Sequence, residues 1–534
     1  MSRAGAPKDS DKPFRNVVVF FADQCRSDAL GCLGNRQVRT PNIDWIGGGT
    51  RLRRHITPNQ MCQPSRAAFF TGLYPRHNLV HRNGTTLPET IPTVPRVLAD
   101  AGYTTYAAGK LHFQAIMAPA RLEMPESLGF WRAPGAPEVL YDYIRYEMGL
   151  ELGDGAQLRQ PLRPEAVAWR GPFYGFDYVD LVIGESLDVI HGGHYAAWLA
   201  EHHPELLTRY GPDVALSTPP TDLWEVWKCA IPWEHHYNTW IADRTCDFLH
   251  TRKREQPFFA FVSFPDPHHP FSPPAPYCNR HAPRDVPMPR SIPGELERMP
   301  GYLREEPLFR AEHGSQISTI GLSEDTLRLA IAHYYGSIEL IDDAVGRVLD
   351  TLRAQNALDE TLVVFSSDHG ELLGDHGFLR KGPSPYRQLL EVPFLVRGPG
   401  LLQNRDLVAL TSHLDVMPTL ADWAGLAAPP TDGVSLLPLL QGESSSVREA
   451  AIGEYHSRLP ELYNRTIVTN SWRLTRYEAR QDWGELFNYE TDPGEHRNLF
   501  GEPGTAEIVR ELTAELDAAL PPQAHVNAEI LGRF

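Results

Sequence analysis

The chain has 534 residues, 42% hydrophobic and 22% charged, which is the composition of a globular protein with room for a large domain and an appendage. Its net charge of −17 and isoelectric point of about 5.7 argue against nucleic acid or an anionic membrane surface as the main partner, because both select a basic face. A small anionic ligand stays compatible, since a cationic pocket can sit inside an acidic protein.

From Met1 to Ser10 the sequence is polar, without the apolar core of a secretory peptide. No apolar run is long enough to span a bilayer. The cysteines, Cys25, Cys32, Cys62, Cys229, Cys246 and Cys278, lack CxxC spacing and are too sparse for a disulfide scaffold. Cytoplasmic residence with reduced thiols is the simplest reading.

Val17–Phe21 is a strand-length apolar run that leads to Asp23 and Gln24. Thr40-Pro-Asn-Ile-Asp44 follows, then Met61-Cys62-Gln63-Pro64-Ser65-Arg66 with Thr71-Gly72 downstream. Pro64 suits the first position of a helix and Gly72 its end. Cys62 is then expected just before a helix N-terminus, where backbone N–H groups and the helix dipole favour an anion and lower a thiol pKa. Arg66, one turn in, can reach back to the same point. A buried structural cysteine is the plain alternative.

Thr104–Ala108 leads to Gly109-Lys110, and on an extended segment Lys110 and His112 face the same way. Residues 113–232 are rich in aromatics, prolines and histidines but show little periodicity. Within and after them Trp224, Trp227, Trp233, Tyr237 and Trp240 cluster, as ordinary core, as a cage for a quaternary ammonium or as a platform for a sugar ring. Glu234-His235-His236 are candidates to line a pocket. Phe258–Val262 leads to Asp266-Pro267-His268-His269. Residues 270–320 are again irregular, either binding loops or packed excursions.

A helix is predicted from about Glu324 to Leu358, with Ile331, Tyr335, Ile338, Ile341, Val345, Val348 and Leu352 on one face. Asp342 and Asp343 within it read as structural. Leu362–Phe365 leads to Ser366-Ser-Asp368-His369. Four times, then, a strand buried on both faces runs directly into polar, chemically capable residues. Open α/β sheets place ligands at the carboxyl ends of their strands, so the pattern predicts one sheet with a site built from four separated segments. Beyond Gly442 and Glu443–Val447 the character changes to short strands (Ala451–Gly453, Thr466–Val468, Trp472–Arg476) and a closing helix, Ala506–Leu520. The expected division is residues 14–445 as a catalytic α/β domain and 446–534 as a small α+β subdomain with antiparallel strands.

Cys62-x-Pro64-Ser65-Arg66 with Thr71-Gly72 resembles the signature of the type I, formylglycine-dependent sulfatases of the alkaline phosphatase superfamily. Thr40-Pro-Asn, Gly109-Lys110-x-His112, Ser366-Ser-Asp368-His369-Gly370-Glu371 and Leu486–Pro493 with Asn498-Leu499 resemble further segments of that family, in the family's order. The resemblance implies an alkaline-phosphatase-like fold: a large, mostly parallel sheet flanked by helices. It implies that a formylglycine-generating enzyme oxidises Cys62 to 3-oxoalanine (formylglycine). It makes Asp23, Asp368, His369 and the residue-62 group ligands of one divalent metal. Gln24 stands where members often carry a second aspartate, and its amide oxygen can still coordinate. Calcium is favoured, with manganese or magnesium left open by the nitrogen ligand.

By the same resemblance, Arg66, Lys110, His112, His268 and Lys381 surround a small anionic ester. The hydrated aldehyde attacks sulfur, His268 or Lys381 protonates the leaving oxygen, and His112 takes the proton whose loss expels sulfate. Hydrolysis of aryl, choline or carbohydrate sulfates is the expected function. The runner-up is a phosphonate monoester or phosphodiester hydrolase using the same nucleophile. Such enzymes share the pairs Asp23-Gln24 and Asp368-His369, but tend to have alanine at the place of Ser65. An inactive, binding-only relative is the third alternative. Neither nucleic acid nor membrane is an expected partner, and a homo-oligomer is compatible with the sequence.

Overall fold

The computed structural model describes residues 16–114, 169–185, 188–190, 193–303, 319, 321–457 and 462–524. Nine strands form the main sheet: β1 (Asn16–Ala22), β2 (Thr50–Ile56), β3 (Thr104–Gly109), β4 (Tyr178–Leu181), β5 (Phe258–Phe264), β6 (Thr361–Ser367), β7 (Glu391–Val392), β8 (Phe394–Arg397) and β9 (Arg405–Ser412). Their order is β4-β3-β5-β1-β6-β8-β2-β7, with β9 beside β2. From β4 to β6 every pairing is parallel, whereas β8 and β7 run antiparallel to their neighbours.

The four apolar runs that precede chemically capable residues are β1, β3, β5 and β6, and they lie side by side. Strands β1, β5 and β6 are buried throughout, because both faces of the sheet are covered. Val18, Phe20 and Ala22 share a core with Ile331, Ile338 and Val345 of the helix Glu324–Ala354 and with Trp240 and Ile241 of the helix Tyr237–Thr251. Val17, Val19 and Phe21 pack with Phe69 and Phe70 of the helix Cys62–Thr71 and Met417 and Leu420 of the helix Val416–Trp423. Each buried valine, isoleucine, leucine, methionine or phenylalanine here contributes about 1.5–3 kcal/mol, so the strand ends are held on a rigid platform.

The long helix ends at Ala354, short of Leu358, which starts a separate 3-10 turn. Asp342 is structural: its carboxylate accepts from the backbone N–H groups of Asn42 (3.0 Å) and Ile43 (2.8 Å) and holds the Thr40-Pro-Asn segment. Asp343 accepts from the Tyr277 hydroxyl at 2.7 Å. Trp227, Tyr237 and Trp240 belong to the core, while Trp224 is exposed, so these aromatics do not assemble into a cage. All six cysteines are unpaired. Among the described residues, no helix is long and apolar enough to cross a membrane.

Four further strands, β10 (Ala451–Tyr455), β11 (Asn464–Val468), β12 (Trp472–Tyr477) and β13 (Gly484–Asn488), make an antiparallel sheet in sequence order. Leu512 and Leu516 of the helix Ala506–Ala519 cover it against Ile452, Ile467, Leu474 and Leu486. This sheet grips the chain just ahead of Cys62. The Glu454 N–H donates to the Pro58 carbonyl (2.9 Å) and Asn59 Nδ2 donates to the Glu454 carbonyl (2.7 Å). The Glu454 carboxylate takes the Arg76 guanidinium at 2.8 Å and lies 3.3 Å from His456.

Burial opposes the charge on Glu454, but His456 and Arg76 outweigh it and hold the pKa down at about 2. A carboxyl with a depressed folded-state pKa stabilises the fold above its unfolded value and loses that contribution as pH falls through the folded value. The contribution is about 3 kcal/mol at neutral pH. In urea titrations between pH 7 and pH 3, Glu454→Gln is expected to flatten the acid loss of stability relative to wild type. Parallel acid limbs in the two proteins would contradict this assignment.

Candidate active site

Because β3, β5, β1 and β6 are adjacent and parallel, their carboxyl ends converge. Asp23 follows β1, Lys110 follows β3, Asp266 to His269 follow β5, and Asp368 and His369 follow β6. The helix carrying residue 62 begins at Cys62 itself, with Met61 as its N-cap and Gly72 (φ 69°) closing it. Pro64 is thus its third residue, not its first, and Cys62 lies in the first turn, still among the N–H groups that favour an anion.

Arg66 organises the centre. Its guanidinium, fully buried, donates to Asp368 Oδ2 (2.8 Å), Asp23 Oδ2 (3.1 Å), the Ser263 hydroxyl (2.9 Å) and the Lys110 carbonyl (2.7 Å). Lys110 Nζ also reaches Asp23 Oδ2 at 2.5 Å. Burial raises the cost of the Asp23 charge, yet Lys110 and Arg66 hold its pKa well below the usual carboxylate range. The remaining oxygens, Asp23 Oδ1 and Asp368 Oδ1, lie 3.8 and 3.7 Å from His369 Nε2. Asp368 Oδ1 is further oriented by the N–H groups of Gln24 (3.0 Å) and His369 (2.9 Å).

Cys62 Sγ completes the ring, 3.2 Å from His369 Nε2, 3.1 Å from Lys381 Nζ and 3.7 Å from Asp23 Oδ1. Burial first, then Asp23, pushes its thiol pKa up. Asp23, Cys62, Asp368 and His369 each offer one donor atom, all within 4.8 Å of one another. The donor set fits a divalent cation on a further ground. His369 Nδ1 donates to the Gly370 carbonyl at 2.8 Å, so Nε2 carries the lone pair and faces the carboxylates. Burial and Lys381 keep that imidazole neutral, with a pKa of about 4. A ring nitrogen bonded to backbone with the other aimed at carboxylates is the arrangement of a metal-ligating histidine.

Gln24 turns the corner after β1 in a left-handed conformation (φ 67°). Its Oε1 accepts from Lys381 Nζ at 2.9 Å, and its Nε2 is shared between His269 Nδ1 (3.2 Å) and Glu371. The structure therefore separates the two adjacent histidines. His268 faces the centre, its Nε2 2.9 Å from Lys381 Nζ, and His269 packs against Gln24. Tyr237 and Asn238 clamp Asp266 at 2.5 and 2.8 Å and so fix the loop that carries His268.

His112 corrects an expectation. β3 ends at Gly109 and His112 has φ 60°, so Lys110 and His112 do not share one face of an extended strand. The His112 ring lies near Lys110 and Glu185; burial and Lys110 hold its pKa well down, and its buried Nδ1 has no hydrogen-bond partner. Of Glu234-His235-His236, His236 caps the helix Tyr237–Thr251 and is buried, while Glu234 is exposed.

Glu185 was not legible in the sequence. One oxygen meets Lys110 Nζ, the other lies 2.7 Å from His268 Nε2, and the first is 3.7 Å from Cys62 Sγ. A lone glutamate in an aperiodic stretch carries no signal; only the pairing of β4 beside β3 brings it here.

A family model described as Sulfatase matches residues 15–426. A second, described as N-sulphoglucosamine sulphohydrolase, C-terminal, matches residues 374–520. The chain is 29% identical to the arylsulfatase of Clostridium perfringens, over 91% of this chain and 90% of that one. It is 24% identical to the choline-sulfatase of Rhizobium meliloti, over 94% and 85%. Among solved structures, the phosphonate monoester hydrolase of Agrobacterium radiobacter superposes with a TM-score of 0.73 at 24% identity, over 95% of each chain.

Arg66→Met keeps the stem volume and strips two buried carboxylates of their shared guanidinium. Breaking a buried pair from one side costs about 3–5 kcal/mol. The expected result is a urea midpoint lowered accordingly; a midpoint within error of wild type would show that Arg66 does not hold the centre.

Proposed function

Because this chain belongs to the sulfatase family, we propose that it hydrolyses small sulfate monoesters (aryl, choline or carbohydrate sulfates), with formylglycine derived from Cys62 as its nucleophile. The observation that carries the reading is the position of Cys62 Sγ, ringed by His369, Lys381 and Asp23 in the first turn of a helix. Curated relatives named arylsulfatase and choline-sulfatase support the substrate class.

Asp23, Asp368, His369 and the residue-62 side chain would hold the cation, with Gln24 bordering it; calcium is favoured by the two hard carboxylates. The cation supplies Lewis acidity there, and the aldehyde hydrate supplies an oxygen nucleophile in place of a thiol. The rest falls to this chain's own groups. Lys110, Lys381 and Arg66 provide fixed positive charge that needs no reorganisation as charge builds on the ester oxygens. Lys381 and His268, 2.9 Å apart, stand ready to give a proton to the departing oxygen. His112, kept neutral, can accept one. The unpaired thiols support a reducing compartment, and we place the enzyme in the cytoplasm.

A second reading, hydrolysis of phosphonate monoesters or phosphodiesters, is favoured by the pairs Asp23-Gln24 and Asp368-His369. Their tetrahedral anions meet the same charges. Turnover of an aryl sulfate against an aryl phosphonate decides between them: the proposal requires the higher kcat/KM on the sulfate.

Two measurements test the nucleophile and its pocket. In protein made alongside a formylglycine-generating enzyme, the tryptic peptide His55–Arg66 is expected to carry an aldehyde, and its hydrate, at residue 62. Cys62→Ser should then abolish turnover; an unmodified thiol with full activity would refute the mechanism. Glu185 bonds Lys110, a cation that a substrate anion needs, so Glu185→Gln should tighten competitive inhibition by inorganic sulfate about tenfold or more. Unchanged inhibition would show that Glu185 and the anion do not share Lys110.

A further inference from the structure

Away from the nucleophile, Glu295, His376 and His496 bring three donor atoms within 4.8 Å of one another. They come from three distant parts of the chain. Glu295 opens a 3-10 turn in the excursion after β5, His376 lies between β6 and Lys381, and His496 follows β13. The two carboxyl and imidazole contacts are His496 Nδ1 to Glu295 Oε2 at 2.7 Å and His376 Nδ1 to the same oxygen at 3.7 Å. The side chains of Glu295 and His376 are buried, at 5% and 0% exposure, and that of His496 is 16% exposed.

His376 is the telling member. Its buried Nδ1 has no hydrogen-bond partner and points at the Glu295 carboxylate. Its ring is fixed by stacking on Tyr386 (centroids 3.8 Å, 7° between planes). Its Nε2 lies 3.2 Å from Gln388 Nε2, while Gln388 Oε1 is buried without a partner. Turning the Gln388 amide over, a change invisible in the heavy-atom outline, gives His376 Nε2–H an oxygen acceptor and leaves Nδ1 a bare lone pair. That is the tautomer of a metal ligand with its far nitrogen anchored by a carbonyl. His496 is held flat against Gly494, where a Cβ would come within 2.6 Å of its Nε2.

We propose that Glu295, His376 and His496 form a second metal site, for zinc or a similar borderline divalent ion. Two imidazoles and one carboxylate suit zinc, whose ligand atoms at ~2.0–2.1 Å bonds lie about 3.4 Å apart. His496, the partly exposed member, borders a cleft of about 750 Å³ together with Gln388, Arg290 and Asp492, which gives the ion an entry path. The ion ties the excursion, the C-terminal sheet and the segment leading to Lys381 into one junction, five residues from a group of the active site. It uses none of the groups at residue 62, so it stands or falls independently of the catalytic reading.

The test is zinc content by plasma mass spectrometry on full-length protein, stripped with chelator, reloaded with zinc and desalted. His496→Asn keeps an N–H donor for Glu295 at the place of Nδ1 and removes the imidazole. Wild type and Asp368→Asn are expected to hold one zinc that His496→Asn lacks, and zinc should raise the Tm of Asp368→Asn but not when His496→Asn is added to it. Should that variant not fold, Glu295→Gln, which keeps an acceptor for His496, replaces it with the same expectation. Equal zinc in wild type and the folded variant would overturn the site and leave a hydrogen-bonded junction. Loss of the zinc in Asp368→Asn alone would also overturn it, by placing the ion at the nucleophile.

Discussion

The buried fork of Arg66 between Asp23 and Asp368 is the constraint on which the rest depends. Two carboxylates a few ångströms apart, both without exposure, cannot stay ionised in a low-dielectric interior without a partner. Arg66 meets both, and does so on their Oδ2 oxygens only. The Oδ1 oxygens are left to face His369 and residue 62. The guanidinium thus performs two tasks: it makes two buried charges tolerable, and it turns their Oδ1 oxygens toward one point. Because Arg66 is on the same helix as Cys62, the anchor and the nucleophile are positioned together by one turn of backbone. The planar fork explains why arginine, and not lysine, stands here.

Much of this is legible in the sequence. A strand buried on both faces must be apolar along its length, so β1, β3, β5 and β6 announced themselves, and the polar residues at their ends marked where a site would form. The long helix showed its face through Ile331 to Leu352. In the second sheet β10, β11 and β12 were legible as short apolar runs. β13 was not, since Gly484–Asn488 reads as well as a turn as it does a strand. What the pattern conveyed was which segments matter; that their ends meet follows only from the order β3-β5-β1-β6, which no single segment encodes.

The residues whose placement the sequence leaves open share a physical cause. Strand parity cannot place His112, because parity ends with the strand; a left-handed residue brings the ring near Lys110 and Glu185 instead. Helical capping statistics put Pro64 first, yet the helix starts two residues earlier because Ser65 N–H reaches the Met61 carbonyl at 3.1 Å. His268 and His269 are chemically identical neighbours, distinguished only by Lys381 on one side and Gln24 on the other. Glu185 sits in a stretch without periodicity, and its role comes wholly from tertiary pairing.

Glu185 also bears on how a chain with a net charge of −17 binds an anion. At the centre, Arg66, Lys110 and Lys381 face Asp23, Asp368 and Glu185, three cations against three carboxylates. Asp23 and Asp368 are tied to the platform through Arg66 and point their Oδ1 oxygens at the candidate metal position. Glu185 is different: it bonds Lys110 and His268, groups that the proposed chemistry assigns to the ester. A divalent cation between the two aspartates would leave the centre with an excess of positive charge even with Glu185 counted, and the substrate anion is the group left to balance it. Exchange of an internal carboxylate for an external ester at Lys110 lets the pocket take an anion. It does so while the protein surface remains acidic, because at such distances within a buried site the nearest charges outweigh the screened field of the whole molecule.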